Sequence, residues 1–564
     1  MWHPRPMKCL GGLLLVWTLV GCDSTPRTGL GDAGAQDGAT DGARATDGSG
    51  GSDGLLVGDG GSAAGDGAQG RDGATPLADG RTRDGRARDA GTRDGRTRDG
   101  GTRDARSADG APPTGRCTPT PPAAPGNSGV TLHVAVSGND ATGTGAADKP
   151  FATLTAAAKL VKAGGTILVH GGTYKGKKHT VTATGSASAP IVVMAAPGEK
   201  PLLDGSGLGL IESDGVLRVD YSSHVIVDGF EVANSTGRGI SVYESDHVTV
   251  RRCTVHDVSY RALGGGGSDL VFDGNEVYNG ALANQGGGGS GGWPAMVSTY
   301  QRANGTLSKN IQFVNNHFHD AWGECLDFIM LDGGVARNNR IHDCYSVNLY
   351  SDRSQHLVLE GNYLYTTTAK YDRKDNGQRA VGINLAVESG DHQATLATDV
   401  LIANNVIVGT GKGIGFWWDG ANGAAQNTYQ NVRILYNVIK DTLGPALNFS
   451  KVGSGATAPS GCRAQNNIFF AGKDGTTFSL GNPAAWSLSH NLYPGGVPAG
   501  FVEPTSLAGD PRFVSPVLGG PAEGFKLQAG SPAVGKGLAQ AEMPRDLWCA
   551  PRPASATALG VHQP

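Results

Sequence analysis

Residues 311–318 read Ile311-Gln312-Phe313-Val314-Asn315-Asn316-His317-Phe318, and the same pattern returns at 335–341 and 357–364. Each copy has alternating apolar residues, a polar corner with Asn, and a second short strand. The corner asparagines lie 23 residues apart. A constant period of this length indicates a solenoid, in which each unit buries its apolar face only against a neighbour. Since the apolar residues alternate with period two, the units are β-strands.

The pattern continues in both directions, at 248–255, 270–277, 400–407, 432–439 and 462–469. Asn suits the corner because it tolerates left-handed backbone geometry and its amide can bond along a stack of equivalent residues. We therefore predict a β-solenoid with a column of corner asparagines: Asn275, Asn316, Asn339, Asn362, Asn405, Asn437, Asn467 and Asn491.

The two ends of this region carry further motifs. Residues 133–140 and 149–154 look like an opening segment, and 509–513 with 530–533 look like a closing one. With the repeat, they make residues 130–564 resemble the right-handed parallel β-helix proteins of the pectate-lyase-like group. The resemblance implies an all-β, right-handed parallel β-helix. Apolar periodicity predicts one amphipathic helix over 150–165, which would cap the open end.

The N-terminal quarter of the chain has a different character. Residues 1–22 resemble a bacterial lipoprotein signal, which implies that Cys22 is lipidated and anchors the chain in the cell envelope. Residues 23–125 are predicted to be a disordered Gly/Asp/Arg/Pro-rich linker, because 23–115 has no Phe, Tyr or Trp with which to build a core. The folded domain is expected over 126–564, as a monomer. A net charge of −4 argues against a nucleic-acid partner.

Six cysteines follow the predicted anchor, and an even number permits three disulfides in any of fifteen pairings. Because the sequence has no C-x-x-C pair and no His cluster with zinc spacing, a zinc site is not expected. A His-Asp pair recurs after the corner, at 256–257, 319–320 and 342–343. Its repetition at one turn favours a structural capping stack over a catalytic role.

Side chains that alternate across the strands after these turns predict an acidic outer face. Neighbouring turns stack about 4.8 Å apart, so carboxylates in a column repel unless a cation, a proton or a basic group compensates. Such acids suit Ca²⁺ binding or the acid and base of glycoside hydrolysis. The predicted outward columns are Asp327, Asn348, Asn384 and Gly415; Ile329, Tyr350, Ala386 and Trp417; and Asp352, Glu388 and Asp419, with Glu324 nearby.

An insertion after Asn362 adds Lys370 and Lys374, and Arg353 follows Asp352. In the lyases that the chain resembles, Ca²⁺ held by acids neutralises a uronate and a Lys or Arg removes the C5 proton. We therefore predict a lyase of an acidic polysaccharide. In it, Asp327, Asp352 and Glu388 hold Ca²⁺ together with Asp419, or act as acid and base with Glu324. Lys370, Lys374 or Arg353 acts on the uronate, and Asn348, Tyr350, Asn384 and Trp417 bind substrate.

Two alternatives remain open at this point: a glycoside hydrolase on the same fold, and a noncatalytic glycan-binding or structural surface protein. The sequence lacks the adjacent Asp-Asp pair with Gly-His-Gly and Arg-Ile-Lys that polygalacturonase-type hydrolases carry. It also lacks the Arg-x-Pro-x-x-Arg of the principal pectate lyases. Either enzyme class would therefore be a less familiar version on this fold.

Overall fold

The computed structural model describes residues 129–287, 294–388, 397–418, 428–452, 457–501 and 503–564. The predicted signal peptide, Cys22 and the linker lie outside these residues. In the described part the chain winds as a right-handed parallel β-helix, and each turn adds one strand to each of three parallel stacks. No helix of the described residues is long and apolar enough to cross a membrane.

The first stack bears the candidate site. Its strands pair in parallel along the whole helix: His179–Val181, Gly215–Asp220, the first half of Arg238–Arg251, Leu263–Ser268, Val297–Thr299, Leu326–Ile329, Val347–Asp352, Val381–Val387, Ile414–Trp418, Leu447–Phe449 and Phe478–Leu480.

The second stack follows the first in each turn. Its strands are Thr131–Val134, Thr166–Val169, Ile191–Ala195, Ser223–Asp228, the second half of Arg238–Arg251, Val271–Asp273, Ser308–Val314, Leu331–Arg337, Gln355–Glu360, Leu401–Ala403, Arg433–Leu435, Cys462–Gln465 and Trp486–Ser489.

The third stack closes each turn. Its strands are Gly172–Lys175, Pro201–Asp204, Glu231–Ser235, Thr254–Val258, Glu276–Gly280, His317–Ala321, Arg340–Cys344, Tyr363–Tyr365, Val406–Val408, Val438–Lys440, Ile468–Phe469, Leu492–Tyr493 and Leu507–Ala508. A separate two-stranded ladder joins Ala397–Thr398 to Tyr429–Gln430, and short 3₁₀ helices lie at Leu282–Asn284, Ala369–Tyr371, Pro483–Ala485 and Ala522–Phe525.

The predicted asparagine column is present at the corner between the second and third stacks. The Oδ1 atom of each Asn accepts both the backbone N–H and the side-chain amide of the preceding one, as Asn339 does from Asn316 at 3.0 Å. The side-chain amide also donates to a backbone carbonyl of the preceding turn. The left-handed backbone falls one residue earlier than expected, at Asn315 and Asn338 (φ 58° and 57°). The asparagines of the column are buried and form the amide hydrogen bonds, whereas the residue directly before each of them makes the turn.

The recurring His-Asp pairs lie at one position of the turn, and their rings stack from turn to turn. Their rings belong to a stack on the third stack's outer face, with centroids 4.4–5.2 Å apart: His256, Tyr278, His319, His342 and Tyr365. Each Asp adopts positive φ at the turn, and Asp343 accepts the backbone N–H groups of Thr367 and Thr368. Each of these turns therefore combines a left-handed Asp with a stacked His.

Two expectations about the scaffold need correction. The capping helix covers only Leu154–Ala158, not 150–165; it starts at the Thr153 cap and buries Leu154 and Ala157 against the open end. The helix ends at the Lys159 cap, and Gly164 then takes positive φ shortly before the strand Thr166–Val169. Cys325 and Cys344 form a disulfide and Cys549 is disulfide-bonded, whereas Cys253 and Cys462 are free thiols buried in the core.

Candidate active site

The acids singled out in the sequence meet on the outer face of the first stack. Backbone pairing places Ser298, Asp327, Tyr350, Asn384 and Gly415 in one column. The next outward column holds Ile329, Asp352, Ala386 and Trp417. We call Glu324, Asp327, Tyr350, Asp352 and Glu388 the acid patch.

The predicted columns were out of register by two residues on the strand Val347–Asp352. Because Leu326 pairs with Leu349, Tyr350 rather than Asn348 lies level with Asp327. Asn348 is completely buried and cannot contact a substrate, so its predicted binding role was wrong. Val347 packs with Tyr350 and Ala386 in a cluster separate from the main core, against Val381 and Trp417.

Glu388 and Asp352 form the first carboxyl pair of the patch. The backbone N–H of Glu388 donates to Asp352 Oδ1 at 2.9 Å, and the Tyr350 hydroxyl donates to Glu388 Oε1. Burial and the Asp352 charge raise the pKa of Glu388 to about 8, against the opposing hydrogen bond from Tyr350. Asp352 is also bound by Arg353 at 2.7 Å. At neutral pH the half-buried Glu388 is therefore a proton donor beside a carboxylate that accepts charged and backbone donors.

Asp327 and Glu324 form the second carboxyl pair. Their side chains are hydrogen-bonded to each other, which requires a shared proton. Burial, followed by the Glu324 carboxyl, raises the pKa of Asp327 well above its ordinary value. Asp327 is almost inaccessible, whereas Glu324 is only half-buried. Glu324 is therefore the member of this pair that can reach a ligand.

Sequence reasoning missed a cationic part of the same face. Arg261 lies over Tyr300, with its guanidinium carbon 5.2 Å from the ring centroid, and Arg238 approaches the same ring at 5.7 Å. Burial, followed by the Arg238 charge, lowers the pKa of Arg261 to about 10, and Asp327 is one of the anions that oppose this shift. One signal was available: Arg238 and Arg261 each come two residues before an apolar residue, Ile240 and Leu263, and these two pair across successive turns.

The two predicted lysine bases lie at the corner before the acid patch, and within the part of the chain that the structure describes only the side chain of Lys370 is hydrogen-bonded there. Lys370 Nζ donates to the Tyr371 hydroxyl at 2.8 Å and lies over the Trp322 ring. The backbone N–H of Lys374 donates to the Tyr345 hydroxyl at 3.1 Å. These three aromatic residues and Ala281 form one buried cluster. A role for either lysine as the base therefore remains a prediction.

Two of the predicted substrate contacts stay open to a ligand. Asn384 is half-buried next to Tyr350 in the column of Asp327, and Trp417 is half-buried beside Ala386. Tyr350 itself is 7% exposed and hydrogen-bonded to Glu388, so it acts on the acids rather than as a sugar platform.

Asp419 of the predicted calcium set lies outside the described residues. Among the residues that the structure describes, one group offers three ligand atoms within 4.8 Å of one another, and it consists of Glu276, His317 and His319. Asp327, Asp352 and Glu388 do not meet this criterion. The carboxyl set would suit Ca²⁺ by its oxygen chemistry, and a bound cation would favour its ionised form. Calcium at the acid patch remains a prediction.

Two family models match the chain, and both describe the fold seen in the structure. The family described as Pel9A-like, right handed beta helix region matches residues 132–291, and the one described as right handed beta helix region matches 296–429. A search of curated proteins finds no match. Similar solved structures include XylC in complex with xylose, at 14% identity over 77% of this chain and 98% of that one, with a TM-score of 0.47. Pectate lyase Pel9A has 16% identity over 78% and 100% (TM-score 0.45), and a rhamnogalacturonan lyase has 15% over 69% and 91% (0.42).

Proposed function

We propose that the protein is a carbohydrate-active enzyme whose acid patch cleaves an acidic polysaccharide, with hydrolysis as the reaction that the geometry supports best. The observation that carries the proposal is the pair of Glu388 and Asp352. One carboxyl is held protonated at neutral pH, and its neighbour accepts an arginine and a backbone N–H. A carboxyl held protonated beside a neighbour of this kind can act as the general acid at a glycosidic bond.

The roles follow from accessibility. Glu388 donates its proton to the glycosidic oxygen of the leaving group. Asp352 and Tyr350 orient Glu388. Glu324, backed by the buried Asp327, is the second carboxyl and serves as base or nucleophile. Arg261 binds the anionic group of the sugar, because a guanidinium pairs in a bidentate manner with a carboxylate. Asn384 and Trp417 contact the neighbouring sugar.

β-Elimination is the second candidate, and Arg261 is the observation that favours it. A guanidinium close to carboxyls that stay neutral could neutralise a uronate carboxylate, as elimination requires, with Ca²⁺ as a further neutralising group. Arg353, Lys370 or Lys374 would then remove the C5 proton. A noncatalytic glycan-binding role would leave the raised pKa of Glu388 without a use.

The experiment compares three forms of the chain on uronate-containing and neutral polysaccharides, with and without Ca²⁺: wild type, Glu388→Gln and the control Asp332→Asn. Asp332 is a partly exposed acid of the second stack, paired with His356. Reducing ends without unsaturated product, lost in Glu388→Gln and kept in the control, support hydrolysis. Unsaturated product with the same dependence on Glu388 shifts the assignment to a lyase. The proposal is overturned if wild type releases no product from any substrate, or if Glu388→Gln keeps full activity.

The proposal extends to where the enzyme works. The sequence of residues 1–22 supports lipidation at Cys22, so the β-helix would be held in the bacterial cell envelope on a linker of about 100 residues. A tether of that length would let an anchored enzyme reach a polymer too large to diffuse.

A further inference from the structure

A second cluster of ligand-type side chains lies on the outer face of the third stack, which is not the face of the acid patch. His317 and His319 are two residues apart on one strand, so their side chains lie on the same face. Glu276 lies on the preceding turn and pairs with His317. Glu276 Oε1 is 3.7 Å from His317 Nδ1 and 3.8 Å from His319 Nε2. All three side chains remain partly accessible: 46% of the Glu276 side chain, 24% of that of His317 and 16% of that of His319 are exposed.

Hydrogen bonds on the far side of each ring determine where its lone pair points. His319 Nδ1 is 2.8 Å from Asp320 Oδ2, and a carboxylate accepts, so this nitrogen carries the hydrogen. The neutral ring then has its lone pair on Nε2, which faces Glu276 and has no hydrogen-bond partner within the described residues.

A relay of the same kind determines the orientation of His317. His342 Nδ1 donates to Asp343 Oδ2 at 2.8 Å, which leaves a lone pair on His342 Nε2. That atom is 2.9 Å from His317 Nε2, which must therefore donate. The lone pair of His317 is left on Nδ1, the atom that faces Glu276. Two histidine nitrogens and one carboxylate oxygen thus converge within 4.8 Å of one another.

We propose that Glu276, His317 and His319 bind a divalent transition metal ion of the zinc class. Two nitrogens and one carboxylate oxygen form a donor set that zinc uses, with bond lengths near 2.0–2.2 Å. Ligands at that distance lie about 3.4 Å apart in a tetrahedron, so the two distances to Glu276, 3.7 and 3.8 Å, need to close by only a few tenths of an ångström, and the two histidine nitrogens lie within 4.8 Å of each other. Three protein ligands on an accessible face leave one position for water or an exogenous ligand.

The carboxylates that accept hydrogen bonds on the far side of the histidines are of the kind found in established metal centres. Metal-bound histidines usually donate their second nitrogen to a carboxylate, and loss of that carboxylate weakens metal binding about 10- to 100-fold. Asp320 fills this place directly for His319, and Asp343 fills it through His342 for His317. The sequence expectation of no zinc site considered only spacing along the chain, whereas these ligands come from adjacent turns.

The test titrates Zn²⁺ into the metal-stripped full chain, with bound metal measured by calorimetry and by elemental analysis after desalting. We expect one Zn²⁺ per chain for wild type, no stoichiometric binding for Glu276→Gln or His317→Gln, and 10- to 100-fold weaker binding for Asp320→Asn. Asn is chosen because Asp320 has a φ of 57°, which Asn tolerates.

The matched control is Asp257→Asn. It removes the same His-Asp pair at the same turn (φ 56°), but His256 faces a single carboxylate, Glu231. Wild-type affinity in this variant, with unchanged circular dichroism in all variants, supports the proposal. Absence of stoichiometric Zn²⁺ in wild type, retention of zinc by Glu276→Gln and His317→Gln, or equal weakening by Asp257→Asn overturns it.

Discussion

At the scale of single residues, the acid patch is a set of carboxyls whose charges cannot all be present. Asp327 is enclosed and shares a proton with Glu324, while Glu388 is next to Asp352. Like charges at such distances raise one pKa of each pair, and burial raises it further. The chemistry of the patch therefore depends on the total number of protons that its carboxyls hold, not on the protonation of any one acid.

The pH dependence of activity provides the first prediction. If Glu388 is the proton donor, kcat/KM falls as the pH rises through its pKa of about 8. The Tyr350 hydrogen bond lowers that pKa, so Tyr350→Phe should move the alkaline limb to higher pH. Initial rates between pH 5 and 10 measure the limb. A limb that stays in place, or moves to lower pH, contradicts the role of Glu388.

The second residue-scale prediction concerns substrate charge. Arg261→Gln should raise KM for an acidic polysaccharide about 10- to 100-fold, because a charge-assisted hydrogen bond contributes about 1.5–3 kcal/mol. KM for a neutral oligosaccharide should not change. Arg337→Gln is the control, since Arg337 pairs with Glu360 on the second stack. Equal losses on acidic and neutral substrates would mean that Arg261 supports the fold rather than the anionic group.

At the scale of elements, the corner asparagines couple neighbouring turns. Asn339 accepts from two nitrogens of Asn316 and donates to the Phe313 carbonyl and to Asn362. Asn339→Ala leaves these buried groups unpaired, which we expect to lower the free energy of unfolding by about 2–5 kcal/mol. Urea denaturation measures the loss. Asn304→Ala is the control because Asn304 is exposed and bonds only within its own loop; a loss no larger than in this control would remove the ladder from the stability argument.

The disulfide is the second device at this scale. Cys325–Cys344 joins the end of a third-stack strand to the start of the first-stack strand of the same turn, directly after Glu324. Closing a loop of this length stabilises a chain by about 2–4 kcal/mol. The double variant Cys325→Ala/Cys344→Ala should unfold at lower urea concentration and lose activity. Cys253→Ala/Cys462→Ala, which removes the two free buried thiols, serves as the comparison; equal midpoints for the two double variants would contradict a bracing role.

At the scale of the whole β-helix, the repeat of Asn316, Asn339 and Asn362 was enough to predict the solenoid. It succeeded because the ladder needs the same residue at the same place in every turn. Alternation also brought Asp327, Asp352 and Glu388 to one face. The sequence prediction failed for Asn348. The alternation of inward and outward side chains is lost where the chain turns a corner, and only pairing with the previous turn gives the register. The prediction also missed Arg261 and the Glu276–His317–His319 cluster, since contacts between turns require every strand to be aligned at once.

The last prediction concerns the chain as a whole in its cell. Lipidation at Cys22 would place the β-helix in the membrane fraction, and a single side chain would determine this location. Expressed with its own N-terminus in a bacterium, the wild-type chain should incorporate labelled palmitate and sediment with membranes. Cys22→Ser should lose the label, whereas Cys253→Ser, which changes a buried thiol, should keep it. Unlabelled wild-type protein in the soluble fraction would mean that residues 1–22 do not lead to an anchor. The reach of the enzyme would then come from diffusion rather than from its linker.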